Sequence, residues 1–258
     1  MTALTVASEV RPETFEELLE RQHGVVALTQ LGWWLTPDEV STEVHAGRWR
    51  RFCRGVVVTH NSVLTPAQQR WGHVLGAPAG SALAGLTAAG LDGLTGFDVP
   101  EVFLAVPAGS RKPRRDGLVA WWSTHLGSAD VHPSREPRRT RPARSVVDAA
   151  STARSDRRCR AVVLASVQQR LVRAADLRHA LSRRGPCAHR GLIVESIADA
   201  EGGIASVPER DFDLVRRRFG LPEPDRQGVL RQDRRPLLPR RRVAPEAVGL
   251  RGARRPAP

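Results

Sequence analysis

Short amphipathic periods, each opened by a capping signal, dominate the start of this chain. Thr14, Phe15 and Glu17 open a helix with a Thr-x-x-Glu capping box, which turns Phe15, Leu18 and Leu19 inward and stops at Gly24. A second short helix follows, with Thr29 at its N-cap and Leu31, Trp33 and Trp34 as its apolar positions. Thr36, Pro37 and Glu39 then repeat the capping box, with proline at the first helical position; Val40 and Val44 fall on one face, which Trp49 can extend, and Gly47 ends the helix. The period next changes from helical to extended. Arg48 to Phe52 is a basic extended run, Val56, Val57 and Val58 are β-branched, and Arg54-Gly55 between them can turn the chain back. Three short helices followed by a β-hairpin predict a winged helix-turn-helix over residues 1–62, with the hairpin as its wing.

Beyond residue 62 the pattern predicts a mixed α/β body over residues 63–185. Thr65-Pro66 opens a helix with Trp71, Val74 and Leu75 on one side, and Ser81 to Leu91 reads as a second helix of small residues. Glu101 to Val106 and Leu118 to Thr124 read as strands joined by AGSRKPRRDG, the strongest basic cluster of the body; its Arg111, Lys112, Arg114 and Arg115 read as a second phosphate-contacting DNA patch or, more plainly, as a solvated hairpin tip. Thr140 caps a helix that begins TRPARSVVDAA, with Val146 and Val147 packed and Asp148 as a solvated or capping carboxylate. Helices over Ser155 to Gln169, Ala174 to Arg184 and His189 to Ala200 follow, the second closed by Gly185. The fold class is therefore α+β.

Charge changes this picture less than its total suggests. The net charge is +13, but from Arg226 onward ten arginines face only Asp233 and Glu246, so eight of those charges fall in the tail and five in the rest. Lys112 is the sole lysine, and such arginine usage beside abundant Ala, Gly and Pro also fits GC-rich coding. Cys53, Cys159 and Cys187 have no CxxC spacing, which gives neither a disulfide framework nor a zinc site and favours the cytoplasm. The N-terminus lacks a signal pattern, and the uncharged stretch Val74 to Leu91 is interrupted by Pro78, Gly76, Gly80, Gly85 and Gly90, so no membrane span is expected. GxSxG, Walker A, GxGxxG and HExxH are absent, and no two histidines stand at helical ligand spacing. Trp121-Trp122 could stack bases, although a strand doublet more often turns one tryptophan into the core and the other to an interface.

The run LLERQHGVVALTQL, the helix after it and GRWRRFCRGVVVT resemble the N-terminal domain of AbiEi-like antitoxins of type IV toxin-antitoxin systems. The likeness is to the actinobacterial form in which that domain precedes a very-short-patch-repair-like (Vsr-like) endonuclease domain, and it extends to about Arg231. Within it, residues Pro133 to Ala150 resemble the family's strand leading into the helix that begins TRPARSVVDAA. It implies binding of double-stranded DNA, in regulation of an operon or neutralisation of a cognate toxin. One departure matters. The third helix carries Asp38, Glu39 and Glu43 beside Ser41, Thr42 and His45, and carboxylates near phosphates are repulsive. Ser41 and Thr42 remain its groove-facing candidates, while Arg48, Arg50, Arg51 and Arg54 are the better phosphate contacts, positioning without specifying sequence. The plainer alternative makes this domain a packing or protein-interaction module.

Residues 186–232 are similar to the opening of the Vsr-like nuclease domain, of the PD-(D/E)xK class. Ser206, Pro208 and Glu209 start a helix that presents Phe212, Val215 and Phe219 inward, Gly220-Leu221-Pro222 ends it, and QGVLRQ reads as a strand. The resemblance matches Glu209 to the class's helix glutamate, but the strand carboxylates needed to hold a divalent metal do not follow. Residues 233–258 are an Arg/Pro-rich run that reads as disordered, of the kind a GC-rich gene yields out of frame. A truncated nuclease domain would leave Phe212, Val215 and Phe219 poorly buried. The sequence therefore favours a non-enzymatic DNA-binding regulator without cofactor over a Mg-dependent endonuclease or its remnant.

Overall fold

The protein is described from a computed structural model, which describes residues 13–202 and 207–221. Its described part is α+β, with two small three-stranded sheets among helices.

The N-terminal elements run α1 (Phe15–Arg21), β1 (Val25–Ala27), α2 (Leu28–Leu31), α3 (Pro37–His45), β2 (Arg50–Cys53) and β3 (Val56–Val58). Both Thr-x-x-Glu capping boxes close as the sequence predicts: Thr14 Oγ1 accepts from Glu17 N–H, and Thr36 Oγ1 accepts from Glu39 N–H. Gly47 and Gly55 take positive φ, at the end of α3 and in the hairpin turn. Two features differ from the sequence reading. Val25–Ala27, to which the sequence reading assigns no element, is a strand, and it pairs antiparallel with β3, giving the sheet order β1-β3-β2. This pairing starts α2 at Leu28 after an extended Ala27, so Thr29 is not its cap; Ala27 N–H instead donates to Gln30 Oε1. Trp33 is 86% exposed, and only Leu31 of that helix's apolar residues is buried.

The three valines of β3 show why this sheet has no polar face. Val57 joins Leu18, Val26, Leu31 and Val40 under α1 to α3. Val56 and Val58 point the other way and pack with Val25 and Trp71 of α4 (Pro66–Leu75). Thr65 and Gln68 cap α4 reciprocally. A register shift between Arg51 and Cys53 makes Phe52 an extra residue in β2, a bulge that aims its ring at α4. A Cβ on Gly72 would lie 2.6 Å from that ring, and His73 meets it edge-on at 5.1 Å.

The second sheet comprises β4 (Ala82–Leu83), β5 (Val102–Pro107) and β6 (Leu118–Ser123), in that order. Ala82 and Leu83 pair with Ala105 and Leu104, so the expected helix from Ser81 begins only at α5 (Gly85–Leu91), after an extended Ala84. Strand pairing has overridden the helical preference of small residues. β5 and β6 are parallel, with Val102 opposite Leu118 and Pro107 opposite Ser123, so the basic segment between them is a crossover and not a hairpin tip. The strand expected before the next helix is reduced to single bridges, Leu83 with Arg139 and Val131 with Thr140.

Alternation along β5 divides the body's core. Val102, Leu104 and Val106 pack with Leu83 and Ala88, while Phe103 turns toward α6 (Pro142–Ser151), α7 (Asp156–Gln168), α8 (Ala174–Arg184) and α9 (Arg190–Glu201). Helix α6 lies among α5, α7, α8 and α9, and its residues from Arg144 to Ser151 are all buried. Arg141, not Thr140, occupies its N-cap, because Thr140 Oγ1 is engaged with Ser145 Oγ at 2.7 Å. Asp148 is neither solvated nor a cap. It is fully buried between Arg144, at 2.9 Å, and Arg184, at 2.6 Å. Ile193 and Ile197 bring α9 into the same core as Val162 and Leu177.

The last described helix, α10 (Val207–Arg218), contacts α7. Its apolar face does not turn inward: Phe212 is 54% and Phe219 68% exposed, with Val215 also exposed, which is the poor burial expected where the nuclease-like sheet is incomplete. Asp213 is the side chain that α10 buries, paired with Arg216 and Arg217. Ser206, the QGVLRQ run and residues 233–258 lie outside the described residues.

Candidate nucleic-acid interface

Two basic clusters, one at Arg54 and one beginning at Arg111, meet in one cleft. The β2–β3 turn supplies Cys53 and Arg54, the end of α4 supplies Gly76 to Pro78, and the crossover supplies Ser110 to Arg115. With Trp122 of β6 these residues line a cleft of about 1110 Å³. The parallel pairing of β5 and β6 brings this about, because the crossover must run back along the sheet and past α4 instead of reversing at its end.

Arg115 fastens the crossover to α4. Its Nη2 donates to the carbonyl oxygen of Gly76, and its charge reaches Cys53 and His73. Burial raises the Cys53 thiol, against the opposing pull of Arg115. Burial, helped by the same guanidinium, lowers His73 to about 4, so this histidine is neutral at physiological pH. Arg115 is thus a framework residue of the cleft as well as part of its charge.

The other cations are differently disposed. Arg50, Arg51, Arg54, Arg111 and Arg114 make neither ion pairs nor side-chain hydrogen bonds among the described residues. Arg51, Arg54, Arg111 and Arg114 are exposed, and Arg50 is half-buried. Elsewhere on the body arginines such as Arg139, Arg160 and Arg178 are matched to carboxylates. Lys112 lies with its Nζ 4.9 Å from the centroid of the Trp122 ring, a cation–π contact. The indole is fixed in turn by its Nε1, which donates to the Ser110 carbonyl at 2.9 Å. Its neighbour Trp121 turns inward to Phe103, with centroids 6.4 Å apart. The strand doublet is therefore split between core and surface, and sequence alternation alone could not tell which tryptophan faced out.

Ser41 and Thr42 of α3, and Arg48 beyond its end, are instead engaged locally. Arg48 holds Glu43 through two hydrogen bonds of 2.6 Å, so its charge is locally matched. Thr42 Oγ1 donates to the Asp38 carbonyl, and Ser41 Oγ meets His45 Nδ1 at 3.2 Å, which ties both hydroxyls to their own helix. Hydrogen bonds from Thr36 hold Glu39, and Arg48 holds Glu43, below the usual carboxylate range, so both stay anionic. Glu209 stands in the exposed first turn of α10. Among the described residues no three His, Cys, Asp or Glu side chains gather as a metal site, and no helix is long and apolar enough to cross a membrane. All three cysteines are free thiols.

No family model matches the chain, and no curated protein matches it.

Proposed function

We propose that the chain is a DNA-binding regulator of the antitoxin-like kind, in which α1 to β3 act as a winged helix and β2–β3 as its wing. The observation that carries this reading is the cleft in which Arg54 of the β2–β3 turn and Arg111 and Arg114 of the crossover stand together with unmatched charge. Guanidinium groups that no carboxylate neutralises are suited to bidentate contact with phosphate oxygens. Arg50 and Arg51 on β2 extend the same charge along the hairpin. Phosphate contacts of this kind set position and register, while the anionic Glu39 and Glu43 disfavour close approach of α3 to the backbone. The likeness of LLERQHGVVALTQL and GRWRRFCRGVVVT to AbiEi-like domains supports the same reading and adds a cognate toxin as protein partner. Free cysteines suit a cytoplasmic regulator.

The test is duplex binding measured across a salt series, with Arg50→Ala/Arg51→Ala, Arg111→Ala/Arg114→Ala and a chain ended at Asp233. Each lost phosphate contact should lower the salt slope by about one unit. Both double variants are expected to lose affinity and slope while the shortened chain retains them. If only removal of the tail matters, binding is non-specific attraction to the tail's arginines and the regulator reading fails.

A further inference from the structure

Trp122 is 55% exposed, yet it is not a loosely held surface residue. β6 fixes its direction by burying Trp121 against Phe103, and its Nε1 is bonded to Ser110, so the plane of the indole is set before any ligand arrives. Around it in the same cleft stand Lys112, Arg54, Arg111 and Arg114. Duplex DNA has no use for such a platform, because the faces of paired bases are covered by their neighbours in the stack. A strand with unpaired bases does. An indole face receives a base of any identity, and cations alongside it track the phosphates, the combination by which single strands are held.

Resting on the nucleic-acid reading above, we infer that the cleft between the β2–β3 turn and the 111–115 crossover is a subsite for unpaired DNA, with one base stacked on Trp122 and its flanking phosphates on Arg54, Arg111 and Arg114. Lys112 now covers the ring at 4.9 Å; an arriving base displaces it, and its ammonium then pairs with a phosphate. The cleft's volume, about 1110 Å³, admits a few nucleotides of a single strand, whereas a double helix can only lie across its mouth, where the exposed Arg54, Arg111 and Arg114 still reach its phosphates.

The experiment compares an oligothymidine, a blunt duplex and the same duplex with a thymidine overhang, each bound to wild type, Trp122→Ala, Trp122→Phe and Arg111→Ala/Arg114→Ala. Removing the platform should weaken oligothymidine and overhang binding by about tenfold or more, from the loss of one stacked base. Trp122→Phe should retain most of that affinity, and blunt-duplex affinity should stay within about twofold for both Trp122 variants. Three results would overturn the inference: unchanged oligothymidine binding in Trp122→Ala, an equal loss for blunt duplex and oligothymidine, or blunt-duplex binding by a wild type that ignores oligothymidine. The last leaves the regulator reading standing, whereas a wild type that binds no DNA of any form defeats both.

Discussion

Arg184, in the last turn of α8, donates its Nε at 2.6 Å to Oδ1 of Asp148, whose carboxylate is fully buried in the helical core while the guanidinium keeps a small exposure. Arg144, one turn before Asp148 on α6, takes the other carboxylate oxygen at 2.9 Å and also reaches Asp130 at 3.3 Å and Ser123 Oγ at 2.9 Å. Arg183 completes the group by pairing with Asp130 at 2.8 Å. One carboxylate therefore joins α6 to α8, and a second, Asp130, ties the segment before α6 to Arg144 and Arg183.

Asp148→Asn should be strongly destabilising. It strands Arg144 and Arg184 beside a neutral partner, and breaking a buried pair in this way costs about 3–5 kcal/mol. Thermal unfolding should show a midpoint lower by roughly 10 °C. Adding Arg184→Met, which removes one stranded charge, should recover part of the loss; a double variant no more stable than Asp148→Asn would mean that the two side chains are not coupled.

Stability should also fall in mild acid through His73. The folded protein holds this buried imidazole down at about 4, whereas in the unfolded chain it titrates near the ordinary 6.5. Between those two values the unfolded chain takes up a proton that the folded one refuses. Its contribution is therefore full above about pH 6.5, declines as pH falls toward 4, and levels off below, for a total of up to about 3 kcal/mol. Denaturant titrations at neutral pH and in mild acid, on wild type and His73→Gln, check this. The variant should show a flatter pH dependence.

Gly72→Ala tests the contact between the β2 bulge and α4. In an open helix this change gains about 1 kcal/mol from propensity. Here the new methyl would come within 2.6 Å of the Phe52 ring, so the bulge or the helix must shift, and overpacking of this kind costs about 1–3 kcal/mol. A net loss of stability is expected, together with weaker duplex binding, since Arg51 and Cys53 flank Phe52. A stabilised variant with unchanged DNA affinity would show that the bulge is free to move.

Arg48 and Arg54 should separate in DNA binding. Arg48 is held by Glu43, so Arg48→Ala should change duplex affinity little, whereas Arg54→Ala should reduce both affinity and salt slope. Glu43→Gln provides the converse, releasing Arg48 and raising the slope by about one unit if that guanidinium then reaches a phosphate. An unchanged slope in Glu43→Gln would confine the interface to the hairpin and the crossover.

Much of the N-terminal region was legible because its signals are local. Thr14 with Glu17, Thr36 with Glu39, and Thr65 with Gln68 each satisfy backbone donors within four residues, so their spacing alone dictates where helices start. Gly47 and Gly55 end a helix and turn a hairpin because their positions need positive φ. The basic residues of the candidate interface were legible for the same reason: Arg50 to Arg54 and Arg111 to Arg115 are runs in sequence.

What the sequence could not settle depends on partners distant along the chain. Val25–Ala27 becomes a strand because β3 has a free edge for it, and Ala82–Leu83 becomes one because β5 has another. The direction of β6 relative to β5 decides that the 111–115 loop crosses over, passes α4 and joins Arg54 in one cleft, which no residue within the loop encodes. Asp148 read as a solvated or capping carboxylate because its two guanidinium partners lie on both sides of it, one a turn away and one on another helix. The sequence by itself determined helix starts, turns and the inventory of charge, since short-range hydrogen bonding and chain geometry fix these. The tertiary structure alone decided strand direction, which tryptophan faces out, and which arginines are left uncompensated, because burial and charge matching are properties of neighbours in space.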